Sequence, residues 1–269
     1  MPGLPKTVPM LAAEVARRPQ PARKGMAGQG GSGDNAAMDA NVALLETVEH
    51  ETAPSPTWTV LWLHGLGADG HDFAPIVPEL VRRDWPALRF VFPHAPVRPV
   101  TINNGMRMRA WYDIVSFDFD ALAAGKRADE AGVNESVAQV EALIARETAR
   151  GIPPERIVLI GFSQGGAIAL ASALGREQPL AGIVGLSTYL PLGQQQATAR
   201  LKPAALSQPV FMAHGQFDPV VPAVVGQMGA ATMKDLGFAL EWHDYPMAHQ
   251  VCAEEIHALG DWLSRLFAG

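Results

Sequence analysis

The sequence predicts an α/β fold in which a mostly parallel central sheet is covered by helices on both faces. Three observations support this class. Strand-like and helix-like segments alternate from about residue 42 onward, as they do in layered α/β proteins. Several of the strand-like segments are almost continuously apolar, which is typical of parallel strands buried on both faces. The length of 269 residues is enough for one large domain with a substantial core.

Seven segments are predicted to be strands because they are short, apolar and bounded by turn-forming residues. They are residues 42–48, 58–63, 88–92, 156–160, 181–186, 210–213 and 239–243.

Two helices are predicted from apolar side chains that recur on one helical face. The first has its stripe at Val133, Val137, Val140 and Ile144, and the second at Ile256, Leu259, Leu263 and Leu266. Gly151, Pro153 and Pro154 are expected to end the first of these helices, because glycine and proline do not continue it.

The amino-terminal segment differs in composition from the rest of the chain. Residues 1–40 are rich in proline and glycine and are predicted to be a disordered extension, and residues 41–269 a single domain. The glycines between residues 28 and 33 also suggest a phosphate-binding loop. That alternative is disfavoured because such a loop needs a preceding strand and a following helix, which the local pattern lacks.

Composition excludes several classes of function. The net charge of −6 argues against a nucleic-acid partner. No apolar run approaches the roughly 18 residues of a membrane-spanning helix, so no stable membrane insertion is expected. The single cysteine, Cys252, cannot form an intramolecular disulfide, and no signal peptide is recognisable. These features predict a cytoplasmic protein, and they leave a homodimer open.

A Gly-Phe-Ser-Gln-Gly run at residues 161–165 carries the strongest functional signal. It follows the predicted strand 156–160 and precedes a segment that favours a helix. A serine at the apex of a strand-to-helix turn is the nucleophile elbow of the α/β-hydrolase fold, and its flanking glycines relieve crowding. Ser163 is therefore the candidate nucleophile.

Serine needs a base to take its proton, and histidine is suited to this near neutral pH. In this fold the acid and then the histidine follow the serine along the chain. His249 is preferred over His214, His243 and His257 because it lies in the loop between the last strand and the last helix. Asp218 is the preferred acid because it lies in the loop after strand 210–213; Asp235 and Asp244 compete by order alone.

Acyl transfer also needs N–H donors for the developing oxyanion. The backbone N–H of Gln164, the residue after the nucleophile, is one candidate. The second is expected from the glycine-rich segment His64 to Gly70, in which Leu66 is the candidate donor and Gly65 lets the backbone approach a substrate closely.

Together these motifs resemble the phospholipase/carboxylesterase family, which includes acyl-protein thioesterases and small bacterial carboxylesterases. The likeness extends from about Trp58 to the carboxyl terminus and includes the segments at residues 64–70, 92–96, 109–114, 161–165 and 214–221, with His249. It implies the Ser163–His249–Asp218 triad, the donors Leu66 and Gln164, and metal-free hydrolysis of carboxylic esters. Within the family, the chain is expected to fall in the bacterial carboxylesterase branch.

The resemblance also implies that residues 96–119 form a loop beside the active site. Its apolar side chains follow no clean period. This fits an irregular apolar wall that could bind an acyl chain, and it fits ordinary core packing equally well. Met108 and Trp111 are the candidate substrate-binding residues there.

The sequence thus predicts a serine carboxylesterase that hydrolyses short- to medium-chain esters of small molecules without cofactor or metal. An acyl-protein thioesterase or lysophospholipase is the alternative, because the same triad serves all three. A non-catalytic binding protein on the same scaffold is disfavoured by the complete triad. Cys252 as a nucleophile is disfavoured too, since a small buried residue fits its position better.

Overall fold

The computed structural model describes residues 43–115 and 129–268. Seven strands form one sheet in the spatial order β1-β3-β2-β6-β7-β8-β9, and β4 and β5 form a separate antiparallel pair. The strands are β1 (Thr47–Glu51), β2 (Trp58–Leu63), β3 (Leu88–Pro93), β4 (Val97–Val100), β5 (Met106–Arg109), β6 (Ile157–Phe162), β7 (Gly182–Leu186), β8 (Val210–Gly215) and β9 (Leu240–Tyr245).

Only β1 runs antiparallel to its neighbour in the large sheet; every other pairing there is parallel. The helices are α1 (Val77–Leu80), α2 (Glu130–Ala149), α3 (Gln164–Leu174), α4 (Gln194–Arg200), α5 (Ala223–Asp235) and α6 (Ala253–Phe267). Among the described residues, none of these helices has the length and apolar character needed to cross a membrane.

The core forms two layers, one on each face of the sheet. Successive strand residues point to opposite faces, so Leu159 of β6 packs with α2 and α3, and Ile160 packs with α1 and α6. Leu159 and Ile160 are both fully buried, so β6 is covered on both of its faces. The near-continuous apolar strands of the sequence are explained by this burial on both faces, and the predicted α/β-hydrolase architecture is confirmed.

Both predicted helices are present, as α2 and α6, and their apolar stripes pack against the sheet. In α2, the Asp129 carboxylate caps the first turn by accepting the Gly132 N–H at 2.9 Å. Val133, Val140 and Ile144 are buried, and Val137 packs at the edge of the same layer.

The edge strand and the β4–β5 hairpin differ from the sequence-based expectations. A strand was expected at residues 42–48, but β1 begins at Thr47 and its exposed residues pair with β3 in the register Thr47 to Pro93. Pairing with β3, and not the local apolar run, determines this edge. The segment 96–119 was expected to be irregular, yet its first part forms β4 and β5; short strands with exposed residues carry no periodic signal. Residues 1–40 and 116–119 lie outside the described residues.

A buried carboxylate joins three elements at the amino ends of the strands. Glu147 of α2 has a fully buried side chain and accepts hydrogen bonds from the Thr59 hydroxyl and the Arg89 guanidinium, both at 3.0 Å. Arg146 and Arg150 contact its other oxygen. A buried charge is tolerated only when it is paired and hydrogen-bonded, so these contacts are required as a set.

We expect Glu147→Gln to lower the free energy of unfolding by about 3 kcal/mol, because it leaves the Arg89 charge without its buried partner. Turnover per folded molecule should be unchanged, since candidate catalytic residues follow the carboxyl ends of the strands. Urea unfolding measures the first effect. Glu241→Gln, which removes a half-exposed carboxylate that contacts Arg265 and His243 at the surface, is the control and should cost less than about 1 kcal/mol.

A second buried carboxyl lies at the start of α6. Glu255 is fully buried, and neither of its oxygens makes a well-formed hydrogen bond to a described residue. Burial raises the pKa of Glu255 to about 8, and the Cys252 N–H offsets only a small part of this effect. The folded chain therefore holds a neutral carboxylic acid here at neutral pH.

Stability should consequently depend on pH through Glu255. The unfolded chain releases this proton near the ordinary pKa of 4.5, whereas the folded chain retains it up to about pH 8. Unfolding between these values releases a proton, so stability falls as pH rises. Relative to the native sequence, Glu255→Gln should gain roughly 1.4 kcal/mol per pH unit across this window. Urea titrations at several pH values test this; the exposed Glu254→Gln should give a flat difference.

Candidate active site

The candidate nucleophile occupies a strained turn between β6 and α3. Ser163 has φ +53° and ψ −120°, a conformation that L-residues rarely adopt. A Cβ on Gly161 would lie 2.3 Å from the Gly165 oxygen, and one on Gly165 would lie 2.5 Å from the His64 oxygen. The two glycines are thus needed for the turn to close, and the Ser163 side chain stands at its apex.

The turn is held by the neighbouring strand and its loop. The Ser163 N–H donates to the Leu186 oxygen at 2.9 Å, and the Thr188 hydroxyl donates to the Ser163 oxygen at 2.6 Å. Both contacts come from β7 and the loop that follows it. No sequence motif pointed to Thr188, because its contact with the turn exists only after β6 and β7 pair.

A chain of two hydrogen bonds links the three candidate triad residues. The Ser163 Oγ lies 2.9 Å from His249 Nε2, and His249 Nδ1 lies 2.6 Å from Asp218 Oδ2. These residues come from the loops after β6, β9 and β8. Carboxyl ends of parallel strands meet at one edge of a sheet, which brings together side chains distant in sequence. The geometry allows the hydroxyl proton to pass to the imidazole while the carboxylate supports the resulting charge.

The environment of Asp218 keeps its carboxylate ionised. Burial acts to raise its pKa, but the His249 hydrogen bond and the N–H groups of Val221 and Val220 outweigh it, so the pKa lies below the ordinary value. Both N–H groups donate to Asp218 Oδ1 at 2.8 Å. One oxygen is therefore anchored to its own loop, and the other is free to orient the imidazole.

The other candidate histidines and acids lie away from the serine. His243 of β9 stacks on Phe211 of β8, and His257 is exposed on α6. His214 is buried, with Nε2 2.8 Å from the Val221 oxygen and 3.5 Å from Asp218 Oδ2. Its ring supports the loop that carries Asp218. The side chains of the remaining acids, Asp235 and Asp244, are exposed.

Two backbone N–H groups flank the serine without an acceptor. Among the described residues, neither the Leu66 N–H nor the Gln164 N–H makes a hydrogen bond. Gln164 begins α3, where the N–H groups of the first turn have no partner within the helix. Gly65 lies against the nucleophile, since a Cβ there would be 3.4 Å from the Ser163 Cβ. The arrangement leaves both donors available to an oxyanion next to Ser163.

The two predicted substrate-binding residues lie in different environments. The Met108 sulfur lies 3.8 Å from the place where a Gly67 Cβ would be, so it borders the candidate oxyanion loop. Trp111 is fully buried, and its indole N–H donates to the His64 oxygen at 2.9 Å. The Gln164 side chain holds the same segment: it accepts the Trp111 N–H at 2.8 Å and donates to the Tyr112 oxygen at 2.7 Å. Trp111 thus supports the loop from below and has no exposed surface for a ligand.

One group of described residues has the chemistry to hold a cation. Asp69, His71 and His94 each offer a ligand atom, and these atoms lie within 4.8 Å of one another. Their existing contacts compete with a metal: His94 Nδ1 accepts the Gly70 N–H at 3.1 Å, and His71 contacts Asp69 at the same distance. A metal on either nitrogen of His94 would break that hydrogen bond, because Nδ1 would then be bound to the metal or carry the ring proton, and a backbone N–H cannot accept. No metal step is assigned to the site.

Fold and site together define a serine hydrolase of the α/β-hydrolase fold: an elbow serine, a histidine and an acid joined at the carboxyl edge of a parallel sheet. A family model described as Phospholipase/Carboxylesterase matches residues 45–267. The chain therefore belongs to the phospholipase/carboxylesterase family, and it is a carboxylic ester hydrolase.

The curated relatives and solved structures agree with this assignment. Acyl-protein thioesterase 1 of Neurospora crassa is 44% identical over 77% of this chain and 86% of the relative. A probable carboxylesterase of Oryza sativa is 38% identical over 76% of each chain. The crystal structure of Arabidopsis thaliana SOBER1 has a TM-score of 0.71 and 32% identity, and covers 78% of this chain and 98% of that one.

The expected placement in the bacterial carboxylesterase branch is wrong. Relatives at 38–44% identity are fungal and plant proteins, whereas the Bacillus cereus carboxylesterase structure is only 18% identical and shares the fold. The motifs used for that placement form the elbow, the candidate oxyanion loop and the loop of the candidate acid. They are required by the shared chemistry, so they do not separate the branches.

We expect Asp218→Asn to lower kcat by about 10⁴-fold on any ester, because an amide holds the His249 ring less well and cannot balance its charge. Asp235→Asn, on the exposed end of α5, is the matched control and should keep the native rate. Steady-state kinetics with a p-nitrophenyl ester measure both variants. Equal rates for the two would contradict the assignment of Asp218 as the acid.

Proposed function

We propose that this chain is an acyl-protein thioesterase, which cleaves the thioester between a fatty acyl group and a protein cysteine. Ser163 is the nucleophile, His249 the general base, Asp218 the acid that orients it, and Leu66 and Gln164 the oxyanion donors. The observation that carries the proposal is the hydrogen-bonded Ser163–His249–Asp218 chain in a protein whose similar relatives bear the name acyl-protein thioesterase.

The extent of the likeness supports the substrate class. The relative from Mycosarcoma maydis is 42% identical over 98% of its own length, and that from Gibberella zeae is 39% identical over 92%. Both are named acyl-protein thioesterase 1. Almost all of each relative is therefore matched, including the parts that surround the triad.

In the proposed reaction, His249 takes the Ser163 proton as Oγ attacks the thioester carbonyl. The carbonyl oxygen becomes an oxyanion held by the Leu66 and Gln164 N–H groups. The C–S bond then breaks, and the departing cysteine sulfur receives the proton from His249. Water, deprotonated by His249, attacks the acyl-enzyme and releases the fatty acid while Ser163 regains its proton.

Apolar surface beside the triad suits a fatty acyl group. Phe217 and Val220 flank Asp218 in its loop and are 69% and 42% exposed, and Val224 of the following helix is 58% exposed. Met108 borders the oxyanion loop on the other side. Burial of an acyl chain contributes about 0.8 kcal/mol for each methylene, so a long chain would gain substantial binding energy from such surfaces.

Oxygen-ester hydrolysis is the second candidate. It is favoured by the rice relative, which is named a probable carboxylesterase and is 38% identical. The triad performs the same steps on both substrates; only the leaving group differs. A thiol, with a pKa near 8.5, leaves more readily than an alcohol and depends less on protonation.

A matched pair of substrates tests the proposal. An S-palmitoylated peptide and the same peptide carrying an O-palmitoyl serine differ in one atom, and acetyl versions of both vary the chain length. We expect kcat/KM to be at least about tenfold higher for the long thioester than for the long oxygen ester, because a thiol is the better leaving group. Each palmitoyl substrate should in turn be cleaved faster than its acetyl version, because the apolar surfaces bind the longer chain.

Ser163→Ala is the control for this panel and should remove turnover of all four substrates by at least about 10⁴-fold while the fold remains. A fluorophosphonate should label the native chain and not this variant. Native rates that favour the oxygen esters would support the carboxylesterase candidate and contradict the thioesterase proposal.

A further inference from the structure

We propose that His64 is a positioning residue that fixes the Gly65–Leu66 peptide so that the Leu66 N–H points at the oxyanion. The inference rests on the proposed function, because it concerns the donor assigned to Leu66. It adds a role for a side chain outside the assigned triad and oxyanion donors.

The chemistry of its two partners fixes the tautomer of His64. Nδ1 lies 2.7 Å from the Gly65 oxygen, which can only accept a hydrogen bond. Nε2 lies 3.0 Å from the Ala95 backbone nitrogen, which can only donate one. The ring must therefore carry its proton on Nδ1 and present a lone pair at Nε2.

This tautomer determines which way one peptide group faces. The Gly65 carbonyl and the Leu66 N–H belong to the same planar peptide unit and point in opposite directions. In the proposed arrangement, the His64 Nδ1–H holds the Gly65 carbonyl away from the oxyanion position, and the Leu66 N–H is thereby left on the side of Ser163, which Gly65 contacts. A rotated Gly65–Leu66 peptide would turn the donor away and place a carbonyl oxygen where the oxyanion forms.

The neighbouring hydrogen bonds hold the peptides before and after Gly65–Leu66, so the orientation of that peptide depends mainly on His64. The Trp111 indole N–H bonds the His64 oxygen, one peptide earlier, and the Gly67 N–H bonds the Arg109 oxygen, one peptide later. The only other group on the Gly65 oxygen is the Ala68 N–H, at a longer 3.3 Å among the described residues. Because Gly65 has no side chain to restrict its backbone, the Gly65–Leu66 peptide would turn more easily without the imidazole.

Burial keeps His64 in the required state. It lowers the pKa of His64 to about 4, so the ring is neutral throughout the neutral range. A second proton on Nε2 would face the Ala95 N–H, so the neutral ring is also the one that fits its partners.

Two conservative variants separate the two hydrogen bonds of His64. The side-chain amide of Asn overlays Nδ1 and can still donate to the Gly65 oxygen, whereas Gln reaches the position of Nε2 and keeps only the acceptor for Ala95. We expect His64→Asn to retain kcat within about tenfold, and His64→Gln to lose about 10²- to 10³-fold in kcat with little change in KM, as for the loss of an oxyanion donor.

A second readout is the affinity for a compound that forms a tetrahedral adduct with Ser163. A merely structural role of His64 would not change this affinity. An alkylboronic acid, assayed with a p-nitrophenyl ester, should bind His64→Gln more weakly by about the same factor as the loss of kcat. His71→Gln, an exposed histidine on the same loop, should behave as the native chain. Equal losses in the Asn and Gln variants, or native kcat in His64→Gln, would overturn the inference.

Should His64→Gln not fold, the crystal structure of the native boronate adduct decides. A Leu66 nitrogen within about 3.1 Å of the adduct oxygen, with His64 still bonded to Gly65, supports the inference; a rotated peptide overturns it. Native chain that labels with fluorophosphonate and cleaves the S-palmitoylated peptide keeps the proposed function intact in either case. Native chain that does neither would overturn the proposed function and this inference with it.

Discussion

The backbone at Ser163 is the constraint on which the rest of the site depends. Ser163 keeps its φ of +53° because it is fixed between two buried elements. Strand β6 is fully buried before the turn, and helix α3 is buried after it. Strain of this kind costs on the order of 1–3 kcal/mol and persists only where the surrounding structure over-determines it. Here the β7 backbone and the Thr188 hydroxyl make hydrogen bonds to the turn on one side, and Gly65 packs against it on the other.

The same turn positions both the Ser163 hydroxyl and a backbone N–H beside it. Its apex projects Oγ toward His249, and its next residue begins α3, so a free N–H faces the same space. The Gln164 side chain then reaches across to residues 111 and 112 and ties that segment to the elbow. One local conformation therefore positions the candidate nucleophile, presents a candidate oxyanion donor and anchors the segment next to the loop of the second candidate donor.

The two ends of the parallel strands differ in how completely their polar groups are hydrogen-bonded. At the amino edge, both oxygens of Glu147 accept hydrogen bonds, and this network joins α2 to β2 and β3. At the carboxyl edge, polar groups are left partly unsatisfied: the Leu66 and Gln164 N–H groups have no acceptor among the described residues. Unpaired donors are costly in a core, and their presence beside a serine fits a site that completes its hydrogen bonds when an oxyanion forms.

Much of this architecture follows from local sequence. Apolar runs of the right length predicted six strands of the sheet close to their observed positions, because burial on both faces leaves a strong signal. The Gly-Phe-Ser-Gln-Gly run fixed the place of the elbow, because only a strand-to-helix turn with small flanks admits such a serine. Edge strand β1 and the β4–β5 hairpin were not predicted correctly, since exposed strands take their position from a partner.

What the sequence alone determined was the fold class, the elbow, and the order in which an acid and a histidine must follow. Only the tertiary structure decided which groups meet: that His249 and Asp218 lie within hydrogen-bonding distance of one another, that Thr188 supports the serine, and that Trp111 lies beneath a loop instead of lining an open surface. The physical reason is distance along the chain. Local patterns report the burial and turn preference of a segment, whereas contacts between loops arise only after parallel strands have placed their carboxyl ends side by side.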